Sequence, residues 1–354
     1  MIGQNTLRAA VTASLAAGLL GGIATAVAGP PQVYATDLRN PRGLNFAPNG
    51  ALYVAEAGSG GPGPCVPSPV QPVDRCYGET GAITRIAPDG TPVRVVDGLP
   101  SLALPDGTVE GGLTDVAFLG SAPHAVFGVG GDPRTVRAAI GRKSHLFGKL
   151  VRATPGGTLR IVADVAQNEI DHNPFGDTIP GTTTPKIDTN PYSLLPQPGR
   201  WIVADAGANA LVEVSANGRT RTFAVPRFPT REPVPTSVAE GPDGAVYAGM
   251  LTGFPFFRGA ARVQRFESDG SSQSAAAVGL TAVVDVTFAG TTLFVLEVAT
   301  GYVGPFPPPP PFSETGLGIG RLVQVCAGGT RHVLDSGLAS PSGVAVGPDG
   351  AVYY

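Results

Sequence analysis

The chain has 354 residues, of which 42% are hydrophobic and 14% charged, and its formal net charge at pH 7 is −3. It contains 50 Gly and 36 Pro, yet its apolar residues form short, regularly spaced blocks, which argues against a disordered chain. No stripe of Lys and Arg is present to neutralise phosphates, so the composition argues against nucleic acid as a partner.

The N-terminal segment has the pattern of an export signal. Arg8 precedes an apolar run that ends in Ala26-Val27-Ala28, which matches a positive region, a hydrophobic region and a small-residue cleavage site. A membrane anchor is the alternative, but the run is rich in Ala and Gly, which favours cleavage after Ala28. No later stretch is long and apolar enough to span a bilayer. We therefore expect a signal peptide at 1–28 and a secreted or otherwise extracytoplasmic domain at 29–354.

Three cysteines are present, and two of them flank a Pro-rich loop. Cys65 and Cys76 enclose VPSPVQPVDR, which has neither a helix nor a strand pattern. A disulfide between them would hold this insertion in an oxidising compartment, so we predict that they pair. Cys326 follows the strand pattern RLVQV and has no partner left, which indicates a small half-buried residue and not a nucleophile.

Five stretches of the chain repeat one plan: strand, tight turn, strand, variable loop, strand, tight turn, strand. A sixth begins with SGVAV, GPDG and AVYY at the end of the chain. Asp-Gly, Asn-Gly and Gly-Gly pairs supply the positive φ of tight hairpins, and helical periodicity is absent after the leader. Equivalent first-strand positions fall at Gly43, Asp115, Ser193, Ser237, Asp285 and Gly343. This pattern predicts an all-β, six-bladed β-propeller of four-stranded antiparallel blades.

The repeat also predicts how the ring closes. VYAT, at 33–36, lies where a fourth strand would lie, just before the first repeat. We expect it to be the outer strand of blade six, leaving that blade incomplete and truncated where its third strand belongs. A five-bladed ring with stray terminal strands is the alternative, but it leaves GPDGAVYY without a place.

The long insertions of the repeat all belong to one side of such a propeller. They occupy 58–78, 131–147, 165–190 and 301–319, between second and third strands or between blades. The connections between first and second and between third and fourth strands are uniformly short. We call these two sides the long-loop face and the tight-turn face. Long loops on a rigid scaffold commonly carry function, so the long-loop face is the candidate working face.

Several acids fall at matching positions of the repeat. Glu56, Asp205 and Glu297 end second strands, while Asp115 and Asp285 start first strands. We expect both sets on the long-loop face, with Asp115 and Asp285 nearer the axis at the mouth of the central channel. Candidate residues in the same ring region are Arg42, Asn190 and Tyr192. Carboxylates converging on a channel suit a hard cation such as Ca²⁺, for which Asp115 and Asp285 are the candidate ligands. The alternative, which we favour, is that each acid binds loop backbone through its own hydrogen bonds.

No pattern assigns a catalytic residue or another cofactor. The four histidines share no spacing, and no Gly-x-Ser-x-Gly elbow is present.

Two motifs carry a resemblance to known proteins. YVAEAGSGGPGPC…CYGETGAITRIAPDG, with GGDP and NPYSLL…WIVADAGANALVEV, resembles the ScyD/ScyE family of exported propeller-like proteins, named for genes beside scytonemin biosynthesis in cyanobacteria. The resemblance runs from about residue 33 to the end and implies a secreted β-propeller, without catalytic residues to carry over. WIVADAGANALVEV is also similar to NHL repeats, which are mostly binding blades. The likeness to gluconolactonase-type and strictosidine-synthase-like propellers is one of fold.

Three functions are consistent with these patterns. The first is a module that binds a small molecule or an extracellular protein on its long-loop face. The second is a metal-dependent hydrolase or lactonase that uses the central acids, although the sequence offers no clear base for a metal-bound water. The third is a structural surface module. The sequence favours the first.

Overall fold

A computed structural model describes residues 6–10, 30–69, 71–154, 156–228, 231–271, 273–301 and 317–354. In this part of the chain, strands dominate, and they are, in chain order: β1 Leu7–Ala10, β2 Gln32–Ala35, β3 Pro41–Phe46, β4 Leu52–Glu56, β5 Cys65–Pro67, β6 Asp74–Ile86, β7 Pro92–Ala103, β8 Val109–Leu119, β9 Ala122–Gly128, β10 Lys149–Ala153, β11 Leu159–Asp164, β12 Pro191–Gln197, β13 Arg200–Asp205, β14 Ala210–Ser215, β15 Thr220–Ala224, β16 Pro235–Glu240, β17 Val246–Met250, β18 Ala261–Phe266, β19 Gln273–Leu280, β20 Val283–Ala289, β21 Thr292–Ala299, β22 Leu317–Val325, β23 Arg331–Ala339, β24 Ala345–Val346 and β25 Val352–Tyr353.

All sheets are antiparallel, and most follow the repeat. Three of them contain the strands in simple chain order, β12 to β15, β16 to β19 and β20 to β23. The turns within them have glycine at positive φ, as at Gly218 (φ 79°) and Gly244 (φ 72°), where a side chain would be strained. The chemistry of these turns is what made the repeat visible in the sequence.

The number of separate blades differs from the prediction. The structure has four separate four-stranded blades, not six, because the first two repeats share one nine-stranded sheet. The strands β7 and β8 are longer than the repeat requires, and Ser101 to Ala103 pair with Val109 to Gly112. The turn between them, Leu104 to Gly107, has Gly107 at φ 85°. This extra hairpin continues the ladder from one repeat into the next.

The fourth separate sheet joins the two ends of the chain, in the order β2-β1-β25-β24. Its outer strand is β2, as predicted. The gap expected beside it is not present, because β1, from the segment predicted to be a leader, pairs with β2 on one side and β25 on the other. Leu7 is buried in the core, and Arg8 exchanges both backbone hydrogen bonds with Tyr354.

The inner strands contact one another in a closed ring, β3–β8–β12–β16–β20–β24 and back to β3. Hydrophobic clusters fill the spaces between facing sheets. Another cluster lies inside the nine-stranded sheet, where Ile83 of β6 meets Leu113 and Phe127 of β8 and β9, so that this sheet folds back on itself. Burial between sheets therefore holds the ring together.

Two short helices correct the prediction that the mature chain has none: α1 Pro133–Ile140 and α2 Ala166–His172. Asp132 caps α1 by accepting from the backbone N–H of Arg134, with Pro133 in the first turn. The predicted disulfide is confirmed, since Cys65 in β5 is bonded to Cys76 in β6. The segment between them is a short hairpin and not an unpaired loop. Cys326 is half-buried and unpaired.

Most of the predicted insertion 301–319 lies outside the described residues. Among those described, no helix has the length and hydropathy needed to cross a membrane.

Candidate functional site

Five of the six equivalent positions of the repeat lie in inner strands, and Gly343 lies just before β24. Three of them accept hydrogen bonds that join one repeat to the next. Asp115 accepts the backbone N–H of Leu194 at 2.8 Å, and Ser193 accepts that of Val238 at 3.2 Å. Asp285 accepts the N–H of Val344 at 2.7 Å. In each case the donor is the residue after the equivalent position of the next repeat.

A second set of hydrogen bonds starts one residue earlier in the repeat. The hydroxyls of Thr114, Thr236 and Ser342 donate to the carbonyls of Pro191, Val283 and Pro41, at 2.8, 2.8 and 2.6 Å. Each bond again joins one repeat to the next. Together the two sets form a hydrogen-bonded belt that joins every pair of neighbouring repeats except the first and second.

Asp115 is almost fully buried in this belt. Its Oδ1 accepts the N–H of Val116 at 2.8 Å, and a Cβ added to Gly43 would lie 2.1 Å from the same oxygen. Glycine at position 43 is therefore required by the approach of this carboxylate. Burial raises the pKa of Asp115 to about 7, although hydrogen bonds from Leu194, Val116 and Ser193 favour the ionised form.

Asp285 is the second acid of the belt and is half-buried. Its Oδ1 accepts from Val286 at 2.8 Å, so both of its oxygens bind backbone N–H groups. Enclosure by the surrounding strands, and then the negative charge of Asp115, raise the pKa of Asp285 well above its usual range. Asp285 therefore holds its proton to a higher pH than an exposed aspartate does.

A cavity of about 240 Å³ occupies the channel, and both acids line it. The other lining residues follow the equivalent positions along the inner strands, from Ser193 to Pro196 and from Asp285 to Phe288, for example. These strands run toward the tight turns, so the cavity lies between the belt and the tight-turn face. The prediction placed these acids at the mouth of the channel on the long-loop face, and the structure instead places their cavity on the other side.

The three acids that end second strands lie inside the sheets and do not reach the channel. Glu56, Asp205 and Glu297 have no exposed surface. Each accepts a backbone N–H from the segment that leads into the first strand of its own repeat: Arg39 at 2.5 Å, Asn190 at 2.6 Å and Thr281 at 2.6 Å, respectively.

These three acids also bind side chains. Glu56 accepts from Thr84 and pairs with Arg94 at 3.0 Å, whereas Glu297 pairs with Arg321. Burial raises the pKa of Asp205 to about 6, although hydrogen bonds from Thr189, Asn190 and Ala208 favour its ionised form. Such carboxylates anchor the entry of each first strand and are not placed to contact a ligand.

The remaining candidates occupy different places. Arg42 donates to the carbonyl of Val109 at 3.1 Å and so joins β3 to β8. Tyr192 of β12 packs against the cluster that contains Val284 and Val344, which belongs to the opposite side of the ring. Asn190 lies beside Asp205, and its buried Oδ1 has no hydrogen-bond partner. The structure therefore brings Asp115 and Asp285 to one cavity and distributes the other candidates among the sheets.

No three His, Cys, Asp or Glu side chains within the described ranges are grouped as ligands of a metal ion. The oxygens of Asp115 and Asp285 accept backbone N–H groups, which is the alternative that the sequence favoured over Ca²⁺ binding.

A buried acid on the long-loop face escaped the sequence analysis. Glu169 of α2 is 3% exposed, and its Oε2 has no hydrogen-bond partner. Burial, then the charges of Asp205, Asp188 and Asp177, raise the pKa of Glu169 to about 8, although the N–H of Asp188 favours the ionised form. The helix is a seven-residue segment of an otherwise polar loop, so no sequence pattern marked this residue.

A surface rich in arginine and phenylalanine also escaped it. Two loops on the long-loop face, between β15 and β16 and between β17 and β18, lie side by side through backbone hydrogen bonds such as Thr252 N–H to Pro233 O at 3.0 Å. We call the following residues the Arg–Phe surface: Arg227, Phe228, Arg231, Phe254, Phe257 and Arg262.

The chain matches no protein-family profile and no curated protein sequence. Its fold is that of a β-propeller, as its similarity to one solved structure shows. A structure of a nidogen/laminin complex has a TM-score of 0.52 at 12% identity, covering 96% of both chains. Virginiamycin B lyase from Staphylococcus aureus has a TM-score of 0.43 at 13% identity, covering 88% of this chain and 93% of that one. A gluconolactonase from Xanthomonas campestris has a TM-score of 0.44 at 16% identity, covering 75% and 71%.

Proposed function

We propose that this β-propeller is a binding module whose long-loop face receives a small molecule or an extracellular protein. The observation that carries the proposal is the unequal construction of the two faces. The long-loop face bears the disulfide-closed hairpin, the extended halves of β6 to β8, and both helices. Their apolar side chains form a cluster of their own: Val66, Tyr77, Leu102, Val129, Val136, Ile140 and Phe147.

This cluster gives the long-loop face a fixed shape. Arg75, which is 1% exposed, supports it by donating to the carbonyl of Val129 at 2.6 Å, and its guanidinium lies 3.7 Å from Glu110. Preformed surfaces lose little conformational entropy on binding. The tight-turn face consists of short turns and has no comparable layer.

The experiment compares the two faces directly. In a Cys326→Ser background, Thr183→Cys on the long-loop face and Ala216→Cys on the tight-turn face, both exposed, would each carry one polyethylene glycol chain. Ligands selected from defined peptide and oligosaccharide libraries should lose binding to the first conjugate and keep it with the second. Loss with the Ala216→Cys conjugate alone would contradict the proposal.

A metal-dependent hydrolase or lactonase is the second candidate, favoured by one observation. Asp115 and Asp285 line the same cavity and both have a raised pKa. Calorimetric titration of metal-stripped protein with Ca²⁺, repeated on Asp115→Asn and Asp285→Asn, tests it. Tight binding that both substitutions abolish would support this candidate. We favour the binding module because the belt already uses these carboxylates to join repeats.

Export and membership of the ScyD/ScyE family belong to the same proposal. The leader pattern and the motifs of residues 33 onward support them, and the Cys65–Cys76 disulfide is compatible with an extracellular protein. The role of a structural surface module would be consistent with the same features. Ligand binding that only the conjugate on the long-loop face blocks would distinguish a binding module from a purely structural one.

A further inference from the structure

We propose that the Arg–Phe surface is a docking site for a short acidic peptide segment that carries an aromatic residue. The inference rests on the proposed function, since this surface is part of the long-loop face. The first observation that supports the proposal is that two arginines of this surface are stacked on aromatic rings. The Arg262 guanidinium lies 3.7 Å from the centre of the Phe228 ring, and the Arg231 guanidinium lies 4.2 Å from that of Phe257.

Among the described residues, these two guanidiniums have no carboxylate or hydrogen-bond partner. A guanidinium presents its N–H donors in its plane, so stacking on a ring orients it and leaves its edge open. Carboxylates fit that edge with two parallel hydrogen bonds. Arg231 and Arg262 are therefore oriented, charged and available.

Neighbouring arginines are used differently, which separates binding from structural roles. Arg227 donates to the carbonyls of Phe175 and Pro174 at 2.9 and 3.4 Å while its guanidinium lies 4.7 Å from the Phe175 ring. Arg258 donates to the carbonyl of Thr300 at 3.3 Å. These two arginines hold loops together and add positive charge beside the open pair.

An apolar side chain completes the surface. Phe254 is 47% exposed, and its ring lies 5.9 Å from that of Phe256 in an edge-to-face arrangement. Large exposed aromatic side chains beside open arginines are typical of protein interfaces. A ligand that fits must therefore offer carboxylates for two guanidiniums and an apolar group for an aromatic ring.

The surrounding charge limits how long such an anion can be. The segment that supplies Phe175 also carries Asp171, Asp177 and Asp188, and the whole chain has a net charge of −3. A long polyanion, whether nucleic acid or polyuronate, would extend from the arginines over this acidic segment and be repelled by its carboxylates. A short acidic segment places its charge only over the arginines, so we favour a peptide.

The test measures fluorescence anisotropy of the full chain with a labelled Asp-Glu-Phe-Glu-Asp peptide. Its neutral analogue Asn-Gln-Phe-Gln-Asn, an oligogalacturonate and a short oligo-dT serve as the other probes. Arg231→Gln combined with Arg262→Gln should weaken binding of the acidic peptide at least about tenfold, the loss of roughly one charge-assisted pair. Binding should also weaken as salt is raised.

The control variant combines Arg160→Gln with Arg219→Gln, which removes the same charge from exposed positions of the third repeat and its neighbour. This variant should keep the affinity for the peptide within about twofold. Phe254→Ser is a second test of the surface, and it leaves every arginine in place. This substitution should weaken binding of the acidic peptide more than it weakens binding of an acidic peptide without Phe.

Equal loss in the control variant, or equal affinity for the neutral peptide, would overturn the inference. Tighter binding of oligogalacturonate or oligo-dT would overturn the choice of a peptide. A third outcome is possible: the acidic peptide does not bind, while the Thr183→Cys conjugate blocks the binding of library ligands. This outcome would overturn the present inference and leave the proposed function standing.

Discussion

Replacing Asp285 with Asn should make the protein less stable in acid and relatively more stable toward neutral pH. Both oxygens of Asp285 accept backbone N–H groups, from Val286 and Val344. The single oxygen of an Asn can serve only one of them, and an unsatisfied buried donor costs about 1–3 kcal/mol. At pH 5 we therefore expect the variant to be less stable than the natural protein by about this amount.

The pH dependence follows from the raised pKa of Asp285. A carboxyl whose folded pKa is raised contributes stability that is present at low pH and is lost as pH rises through the folded pKa. Over the pH range in which Asp285 is protonated in the folded chain and ionised in the unfolded one, each unit of increase in pH lowers the free energy of unfolding by about 1.4 kcal/mol. Between pH 5 and 7 the ceiling is about 3 kcal/mol, and the solvent exposure of this half-buried carboxyl should reduce it to about half. Asn lacks this loss, so the stability difference between the two proteins should narrow by about 1–2 kcal/mol as the pH approaches neutrality.

Urea unfolding from pH 5 to pH 7.5, followed by fluorescence, measures this difference. The chain has one tryptophan, Trp201, which is 6% exposed and packs 5.2 Å from the ring of His124. Burial lowers the pKa of His124, so this neighbour takes up a proton less readily than a free imidazole does. Asp171→Asn, an exposed change on α2, is the control, and its stability difference from the natural protein should not narrow with pH. A difference between Asp285→Asn and the natural protein that stays constant with pH would refute the reasoning.

Three other substitutions test the fold. Gly43→Ala should destabilise by about 1–3 kcal/mol in thermal unfolding because its Cβ meets the buried carboxylate of Asp115, whereas Gly156→Ala, with open space around it, should cost much less. Cys65→Ser should lower stability by about 2–3 kcal/mol, since the disulfide closes an eleven-residue separation; an unchanged melting temperature would contradict this. Leu7→Ala should lower the free energy of unfolding by about 2–5 kcal/mol if β1 stays in the closing sheet, because Leu7 is buried there. Intact mass will show whether the leader is retained, and an unchanged stability in a chain that retains it would mean that β1 is dispensable.

Much of the fold was readable because local chemistry sets it. The Asp-Gly and Asn-Gly turns fixed strand boundaries, and the register placed Asp115 and Asp285 at equivalent positions, where the belt uses them. Two local signals were present but missed. Leu104 to Gly107 is a further Asp-Gly turn, and Asp132-Pro133 is an N-cap signature.

Other features depend on contacts between distant residues, which no local pattern contains. The stacking of Arg262 on Phe228 joins a strand to a loop in the preceding connection. The raised pKa of Glu169 arises from enclosure together with Asp205, Asp188 and Asp177. The burial of Glu56 and Glu297 likewise depends on partners distant in sequence within their own repeats, Arg94 for Glu56 and Arg321 for Glu297, so the expectation that they are exposed on a working face was wrong.

The sheet that joins the two ends of the chain constrains the order of folding. Its ladder pairs Ala9 with Tyr353 and Leu7 with Ala35, so it unites segments separated by almost the whole length of the chain. Contacts of such long sequence separation carry the largest loop-closure entropy and form slowly. During synthesis the earlier repeats would emerge with one side of the first sheet uncovered, because its partner strands β24 and β25 are made much later. Until closure, that side and Leu44 and Leu52 upon it would be exposed to other chains, and this interval is when the protein would depend most on a chaperone.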